Sequence, residues 1–316
     1  MAKHMLDKTQ YGWWQSAVFY QIYPKSFCDS NGDGIGDLPG IISRLDDLKD
    51  LGVDILWLSP IYCSPLADQG YDISDYYNID PRFGTMEDMD RLLEEARKRN
   101  MYIIMDLVVN HTSDEHEWFR QALKDPSSKY RNYYFFEDDK GELPNNWTSN
   151  FSGTAWNHYE DEKQYVLHLF STKQMDLNWD DPDVREDVIT MIRWWLEKGV
   201  DGFRMDVINY ISKEEGLPDG DPFIGELIGY TGIEHYYYGP RFHEYLCEIR
   251  AKAFEPYHAF SIGETPGLGI RMAHQAGALV HQQDVIVFIN DIQSGGRNLQ
   301  IGVFFSGLFK KLIIDI

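Results

Sequence analysis

The stretch Val200-Asp-Gly-Phe-Arg-Met-Asp-Val207 decides how the chain folds. It follows residues 183–198, in which apolar side chains recur at the spacing of an amphipathic helix. Gly199 ends the predicted helix, because glycine reaches a left-handed C-terminal cap at little cost. The stretch itself is short and largely apolar, and it carries Arg204 and Asp206 at its end, which predicts a buried strand with a charged pair. Taken alone, that pair fits a structural ion pair as well as a functional site.

The same order of helix, interruption and strand occurs twice upstream. Helices are predicted at 38–51, 88–99, 183–198 and 241–253, and strands at 16–23, 53–59, 101–109, 200–207, 259–264 and 284–290. Helices that alternate with near-continuous apolar strands are typical of an α/β fold with a parallel sheet covered on both faces. In such folds the loops after the strands carry the chemistry. Polar side chains at the strand ends therefore favour a functional site.

Bulk composition disfavours several classes of protein. The chain has 316 residues, a net charge of −22 and no run that approaches the ~18 apolar residues of a membrane span. Nucleic-acid and anionic-membrane partners need basic patches, so the negative charge argues against both. The amino terminus has no apolar signal region, and Cys28, Cys63 and Cys247 are too scattered for a disulfide framework or a zinc site. We therefore expect a cytoplasmic protein.

Residues 29–37, Asp-Ser-Asn-Gly-Asp-Gly-Ile-Gly-Asp, form an acidic, glycine-rich loop. Oxygen ligands at alternating positions suit a hard cation such as Ca²⁺. Here the ligands would be the side chains of Asp29, Asn31, Asp33 and Asp37 and the carbonyl of Ile35. Glycine stands where an EF-hand has its bidentate glutamate, so the loop is EF-like outside an EF-hand. A solvated turn is the alternative; we favour a structural Ca²⁺ site.

The alternation of helix and strand lapses between about residue 112 and residue 182. That interval is too long for a plain loop in a compact domain. It contains strand-like runs at 132–137 and 164–170. We therefore predict a small domain at 112–182, inserted between the two parts of the main domain, 1–111 and 183–316.

Three consecutive predicted strands end in polar side chains: Asp106 with the following Asn110-His111, Arg204 with Asp206, and Glu264. Carboxylates on neighbouring parallel strands can face each other across a cleft. An adjacent Arg would hold one ionised, and the other, with no cation nearby in sequence, would have a raised pKa. Glycoside hydrolysis needs this division between a nucleophile and an acid/base. A Ser-His-Asp hydrolase is disfavoured because no G-x-S-x-G elbow occurs.

Four motifs resemble the signature regions of the α-amylase family of glycoside hydrolases: Asp106-Leu-Val-Val-Asn-His111, Gln174-Met-Asp-Leu-Asn178, Gly202-Phe-Arg-Met-Asp206 and Ile262-Gly-Glu264. They are most similar to the oligo-1,6-glucosidase, dextran glucosidase and α-glucosidase branch. The resemblance runs from about residue 13 to residue 265. It implies a (β/α)8 TIM barrel with an inserted B domain after strand 3, which agrees with the insertion at 112–182.

The resemblance also implies roles for single residues. Asp206 would be the nucleophile, Glu264 the acid/base, and Arg204 the group that orients Asp206 and keeps it ionised. The glucose-binding subsite would be lined by Asp68, Tyr71, His111, Phe151 and Gln174. In this branch the residue after the nucleophile is associated with linkage choice, Val with α-1,6 and Ala with α-1,4. Val207 therefore implies a preference for α-1,6 bonds.

The function that the resemblance implies is a monomeric, retaining, exo-acting α-glucosidase for the α-1,6 bonds of isomalto-oligosaccharides. Alternatives within the family are α-1,4-glucosidase, trehalose-6-phosphate hydrolase and sucrose isomerase. The chain has no Asn-His-Asp motif for the family's third carboxylate, and it holds only about six of the eight barrel strands and no C-terminal β domain. We therefore expect a C-terminally truncated chain. An inactive fragment that binds sugar or calcium is the alternative of a different class.

Overall fold

A computed structural model describes residues 6–10, 13–265, 285–290 and 300–303, with side chains up to residue 265. The strands, in chain order, are β1 (Phe19–Ile22), β2 (Ile55–Leu58), β3 (Tyr62–Cys63), β4 (Asp75–Ile79), β5 (Tyr102–Leu107), β6 (His111–Ser113), β7 (Phe136–Asp138), β8 (Trp156–Tyr159), β9 (Gln164–Leu167), β10 (Gln174–Asp176), β11 (Gly202–Met205), β12 (Phe260–Glu264), β13 (Val285–Asn290) and β14 (Gln300–Val303). The helices are α1 (Pro24–Phe27), α2 (Leu38–Ser43), α3 (Leu45–Asp50), α4 (Met86–Lys98), α5 (Glu117–Lys124), α6 (Pro182–Lys198), α7 (Pro222–Ile228) and α8 (Phe242–Ile249). Within these ranges no helix is both long and apolar enough to cross a bilayer.

A curled sheet with the order β1-β2-β5-β11-β12-β13-β14 forms the centre of the described chain. The pairs from β1 to β13 are all parallel, and these are the six strands that the sequence predicts. The predicted parallel α/β architecture is therefore confirmed. β14 pairs antiparallel with β13 and was not predicted. A curled parallel sheet of this kind agrees with the (β/α)8 barrel that the family resemblance implies.

The inner face of the sheet changes from apolar to charged along the strands. Side chains alternate between the two faces of a strand, so residues two apart share a face. Near the amino ends this face holds an apolar cluster: Trp13, Trp14, Ile55, Tyr102, Ile104, Phe260 and Ile262. Two residues further along, Ile104 is followed by Asp106 and Ile262 by Glu264. The carboxyl ends of adjacent strands therefore bring charged side chains to one place.

Two glycines let β11 take its place in the sheet. Gly199 adopts φ 112° and caps α6, as predicted. At Gly202 a Cβ atom would lie only 1.9 Å from the carbonyl oxygen of Phe260 on β12. A side chain at Gly199 would strain the left-handed cap, whereas one at Gly202 would push β11 away from β12 and displace Arg204 and Asp206.

Residues 112–182 contain an antiparallel sheet of their own, with the order β7-β9-β8. β10 then pairs with β6 and returns the chain to the main sheet, with Asp176 opposite His111. The apolar side chains of this segment share a cluster with the loop after β11, since Trp147 and Trp156 pack together with Tyr210 and Tyr236. The segment is thus tied to the loop that follows the Arg204–Asp206 strand.

Several predicted elements differ in detail. The helix predicted at 38–51 is divided into α2 and α3, because Arg44 has a non-helical ψ of 1°. The strand predicted at 132–137 is replaced by a 3-10 turn, Arg131–Tyr133, and the short β7. The stretch 211–239, read as irregular, contains α7 between an Asp221 cap and a left-handed Gly229. These are ordinary helix start and stop signals, so α7 was predictable.

Candidate active site

The guanidinium of Arg204 lies at the centre of the site and contacts three carboxylates. Its Nη1 atom is 2.6 Å from Oδ1 of Asp106 and 2.6 Å from Oδ1 of Asp206, and its Nη2 atom is 2.6 Å from Oε2 of Glu264. Asp106 and Arg204 are direct partners on β5 and β11, and Glu264 ends the neighbouring β12. Parallel pairing therefore assembles a cluster of one cation and three acids, in which Asp106, Arg204 and Asp206 are buried and Glu264 is partly exposed.

Burial dominates the electrostatics of this cluster. It raises the pKa of Asp206 to about 6, against the opposing effect of Arg204 and with a contribution from Asp106. Burial also raises the pKa of Glu264, and the charge of Asp206 adds to this. Arg204 contacts Glu264 as well as Asp206, and the sequence did not predict this second contact. Burial raises the pKa of Asp106 too, so three acids with raised pKa values share one cation, and the cluster favours a state in which at least one of them is protonated.

Replacing Asp206 by Asn should stabilise the protein at neutral pH. The folded-state pKa of Asp206 is above the usual value of 3.8. Its ionisation therefore destabilises the folded state as the pH rises through the folded pKa, whereas below the usual value the group is protonated in both states. Thermal unfolding should give the variant a higher Tm than the wild type at about pH 7 and a smaller advantage at about pH 4.

The matched control for this measurement is Asp47→Asn, since the Asp47 side chain is 68% exposed. Its Tm should follow the wild type across the pH range. An Asp206→Asn variant that is less stable than the wild type at neutral pH, or whose advantage does not change with pH, would contradict the raised pKa.

Four of the residues predicted to bind glucose form one hydrogen-bonded network. Gln174 Nε2 donates to Oδ2 of Asp68 over 2.9 Å and lies 3.0 Å from Nε2 of His111. His111 Nε2 is 3.1 Å from the carbonyl oxygen of Tyr71. The Tyr71 hydroxyl donates to Oδ2 of Asp106 over 3.2 Å, which joins the network to the Arg204 cluster. Burial raises the pKa of Asp68 and lowers the pKa of His111.

Phe151 and Val207 do not belong to the hydrogen-bonded network of the other four residues. Phe151 is 54% exposed, and its ring meets the edge of Phe170 with a centroid distance of 5.7 Å. The ring of Phe170 also lies against that of His111, with a centroid distance of 5.3 Å, so Phe151 is linked to the predicted glucose-binding residues through Phe170.

Val207 has φ 33° and ψ 42°, a left-handed conformation that is costly for a β-branched residue. In this conformation its N–H donates to Oε2 of Glu264 over 3.1 Å.

Sequence reasoning missed several residues that hold the site together. Trp57 donates from Nε1 to Oδ2 of Asp106 over 3.0 Å, and its ring lies 5.1 Å from the Arg204 guanidinium carbon. Buried Asp72 accepts the backbone N–H of Asp68 over 3.0 Å and thereby fixes the loop that carries Asp68 and Tyr71. Trp57 shares the inner strand face with the predicted acids, and this alternation was the signal that could have found it.

The acidic loop (residues 29–37) uses its predicted ligands to hold its own backbone. Asp29, Asn31 and Asp33 each accept N–H groups within the loop. Asp37 caps the start of α2, and the side chain of Ile35 packs on the main core. In the part of the chain that is described, no group of three or more His, Cys, Asp or Glu side chains is arranged for a metal ion. Ca²⁺ binding at this loop stays a prediction.

If the acidic loop binds Ca²⁺, added Ca²⁺ should raise the Tm of the protein. Saturation at 100 times the dissociation constant corresponds to about 2.7 kcal/mol of stabilisation. The measurement is thermal unfolding in EDTA, in Mg²⁺ and in Ca²⁺, for the wild type and Asp33→Asn. The wild type should gain stability in Ca²⁺ alone and the variant should gain little, because a carboxylate ligand is lost. An unchanged wild-type Tm would remove the prediction.

The chain is similar to known proteins over most of its length. Residues 21–289 match the family model of the alpha-amylase catalytic domain. The chain belongs to the alpha-amylase family. The predicted family and (β/α)8 fold class are thereby confirmed.

Relatives in the family have different activities. The oligo-1,6-glucosidase of Bacillus cereus is 57% identical over 258 residues, which are 81% of this chain and 46% of that protein. The trehalose-6-phosphate hydrolase of Bacillus subtilis (strain 168) is 52% identical over 254 residues, 80% of this chain and 44% of that protein. The crystal structure of isomaltulose synthase from Klebsiella sp. LX3 aligns with a TM-score of 0.83 at 45% identity, covering 88% of this chain and 50% of that one. The chain thus spans about half the length of the curated relatives that it matches.

Proposed function

We propose that this alpha-amylase family protein is a retaining α-glucosidase. The observation that carries the proposal is the contact of one guanidinium, that of Arg204, with both Asp206 and Glu264 at the ends of adjacent strands. Their shared contact holds a potential nucleophile and a potential acid/base close together. Retention of configuration needs such a close pair, because one carboxylate attacks the sugar directly while the other protonates the leaving oxygen.

In the proposed first step, the ionised carboxylate of Asp206 attacks the anomeric carbon of glucose as the glycosidic C–O bond breaks. Glu264 gives its proton to the departing oxygen, and a β-glucosyl ester forms on Asp206. In the second step, Glu264 takes a proton from water, whose oxygen attacks the anomeric carbon and releases Asp206. Each displacement inverts the anomeric centre, so the released glucose has the α configuration. The raised pKa of Glu264 suits a group that must begin the reaction protonated.

Arg204 would orient Asp206 and stabilise its ionised form. Its Nη1 atom contacts the Asp206 carboxylate in the geometry of a charge-assisted hydrogen bond. Val207 N–H likewise positions the carboxyl of Glu264. The strain at Val207 therefore has a use, since the left-handed turn directs this N–H to the acid/base.

The network of Asp68, Tyr71, His111 and Gln174 would bind the hydroxyl groups of the non-reducing glucose. It is joined to the Arg204 cluster through the Tyr71–Asp106 hydrogen bond, so a sugar held by this network lies beside Asp206. Buried polar side chains are suited to recognise hydroxyls because a sugar that lacks one leaves them unpaired. The exposed ring of Phe151 would contact the sugar at the outer side of the site.

We propose α-1,6-linked isomalto-oligosaccharides as the substrates, because Val207 follows the nucleophile and three relatives named oligo-1,6-glucosidase are 54–57% identical to this chain. The wild type should release glucose from isomaltose faster than from maltose. Val207→Ala removes two methyl groups beside the bond that is cleaved and should lower the isomaltose-to-maltose ratio of kcat/KM by about tenfold or more. Coupled glucose detection gives both values, and a ratio that Val207→Ala leaves unchanged would contradict this role.

The relatives also define the competing activities. Trehalose 6-phosphate and sucrose are the substrates to test for trehalose-6-phosphate hydrolase and sucrose isomerase, and maltose tests the α-1,4 alternative. Because the chain spans about half the length of its relatives, a sugar-binding chain without turnover is the remaining alternative. Glucose binding without glucose release from any of these sugars would support it. The monomeric state and the cytoplasmic location stay predictions.

A further inference from the structure

A buried charged cluster lies behind the proposed glucose-binding network. Lys213 Nζ is 2.7 Å from Oδ2 of Asp176 and donates to Oδ1 of Asn110 over 2.9 Å. Asn110 Nδ2 donates to Oδ2 of Asp176 over 3.0 Å. The Lys213 side chain is 1% exposed and those of Asp176 and Asn110 are fully buried. None of these contacts involves the acids that the proposed reaction uses.

Lys213 and Asp176 together fix the orientation of the Asn110 amide. An ammonium group can only donate hydrogen bonds, so the atom of Asn110 that faces Lys213 must be the oxygen. A carboxylate can only accept, so the atom that faces Asp176 must be the NH₂ group. Turning the amide over would place an N–H against the ammonium and an oxygen against the carboxylate. The amide therefore has one allowed orientation.

This orientation determines which nitrogen of His111 carries the proton. Asn110 Nδ2 also lies 3.3 Å from Nδ1 of His111. Since this amide nitrogen is a donor, Nδ1 must accept and is unprotonated. The neutral ring then carries its proton on Nε2, which is 3.1 Å from the carbonyl oxygen of Tyr71, a good acceptor. Burial lowers the pKa of His111, in agreement with a neutral ring.

Gln174 does not oppose this assignment. Its Oε1 accepts the N–H of Ser171 over 2.9 Å, so its Nε2 is the atom that faces His111. Both hydrogens of that amide have acceptors, Oδ2 of Asp68 at 2.9 Å and the carbonyl oxygen of Tyr71 at 3.3 Å. Gln174 therefore needs no lone pair on His111 Nε2.

We propose that Lys213 is a positioning residue which, through Asn110, holds His111 in the tautomer protonated on Nε2. His111 then has no lone pair on Nε2 and cannot act in the site as a base through this nitrogen, whose N–H faces the carbonyl oxygen of Tyr71. That a hydroxyl oxygen of bound glucose shares this N–H rests on the proposed function; the tautomer itself does not. A buried Lys–Asp pair contributes little net stability compared with apolar packing, so stability alone is a weak reason for it.

The tautomer can be measured without any substrate. Long-range ¹H–¹⁵N correlation spectra of ¹⁵N-histidine-labelled protein distinguish the two neutral tautomers, and His111→Gln identifies the signals of His111. The wild type should show His111 protonated on Nε2 and unprotonated on Nδ1. A wild-type His111 protonated on Nδ1 would overturn the proposal.

Two variants test the role of Lys213 and its route. The double variant Lys213→Met/Asp176→Asn removes both charges, leaves no unpaired ion and allows the Asn110 amide to turn, so His111 should populate both tautomers. Asn110→Asp leaves the Lys213–Asp176 contact in place and puts an acceptor where the donor to Nδ1 stood, so His111 should gain a proton on Nδ1. A folded variant of either kind that keeps only the Nε2-protonated form would overturn the proposal.

Conservative and unrelated changes complete the test. Lys213→Arg keeps a group that only donates and should retain the Nε2-protonated form, which a purely steric role of Lys213 would not require. Lys173→Met removes a lysine whose side chain is 55% exposed and pairs with Asp114, and it should leave the spectrum of His111 unchanged. Titration with glucose tests the proposed function separately, because a sugar that contacts His111 should shift its Nε2 signal. An unchanged Nε2 signal would leave the tautomer assignment intact but remove the sugar as the partner of His111.

Discussion

Replacing Asp206 by Asn should reduce the rate of glucose release from isomaltose by at least about 10³-fold. The amide has almost the same shape but lacks the charge that attacks the anomeric carbon, so no glucosyl ester can form. Arg204 keeps its contacts with Asp106 and Glu264, and the site should retain its structure. Glucose binding should therefore change far less than turnover. The measurement is coupled detection of glucose, with sugar binding followed by calorimetry.

Unfolding cannot account for this loss, because the same substitution is expected to raise stability at neutral pH through removal of a buried charge. Asp114→Asn provides a control, since Asp114 pairs with Lys173 at the surface. It should keep wild-type turnover. An Asp206→Asn variant that releases glucose at a rate within a few-fold of the wild type would remove Asp206 as the nucleophile.

Replacing Glu264 by Gln should reduce turnover of isomaltose by about 10²- to 10⁴-fold. The glutamine cannot protonate the leaving oxygen or take a proton from water, and an alkoxide leaving group needs that proton. α-Glucosyl fluoride does not, because fluoride departs without protonation. Formation of the glucosyl-enzyme from the fluoride should therefore be affected much less than cleavage of isomaltose. Rapid-quench mass measurements follow that step directly.

Added azide tests the second half of the same role. It attacks the glucosyl-enzyme without help from a base, so it should accelerate turnover of α-glucosyl fluoride by the Glu264→Gln variant and yield α-glucosyl azide. The wild type, whose Glu264 activates water, should be affected little. If the variant loses activity equally on isomaltose and on the fluoride and azide has no effect, Glu264 is not the acid/base.

The parallel sheet and the position of its acids could be predicted because both follow from local patterns. The helix at 183–198, the glycine cap at Gly199 and the short strand after it have signals within a few residues of each other. Arg204 and Asp206 are two residues apart, so they share a strand face wherever that strand lies. Chemistry at the ends of parallel strands then follows from the fold class.

The rest of the site depends on contacts between distant parts of the chain. Trp57, Asp106 and Arg204 meet because β2, β5 and β11 are adjacent in the sheet, and strand order cannot be read from the residues of any one strand. Lys213 and Asp176 come from different segments, and each alone resembles an ordinary surface charge. The third contact of Arg204, with Glu264, was missed for the same reason.

Burial explains why the expected electrostatics were only partly right. From the sequence, a neighbouring Arg suggests an Asp held ionised at a low pKa. In the structure the Arg204 and Asp206 side chains are 7% and 10% exposed, and loss of hydration outweighs the attraction between them. How far a strand end is buried is a property of the assembled sheet and its loops. The direction of such a shift is therefore a result of the fold rather than of the motif.

Trapping of the glucosyl-enzyme with 5-fluoro-α-glucosyl fluoride tests the central claim most directly. The fluorine on the ring slows both displacements, whereas fluoride is a good enough leaving group for the first one to proceed, so the covalent species accumulates. Mass spectrometry of the intact chain should show the gain of one fluoroglucosyl group, and digestion should locate it on Asp206. Asp206→Asn should stay unlabelled. A folded, glucose-binding wild type that gains no label, or a label on Glu264 or another residue, would contradict Asp206 as the nucleophile of a retaining α-glucosidase.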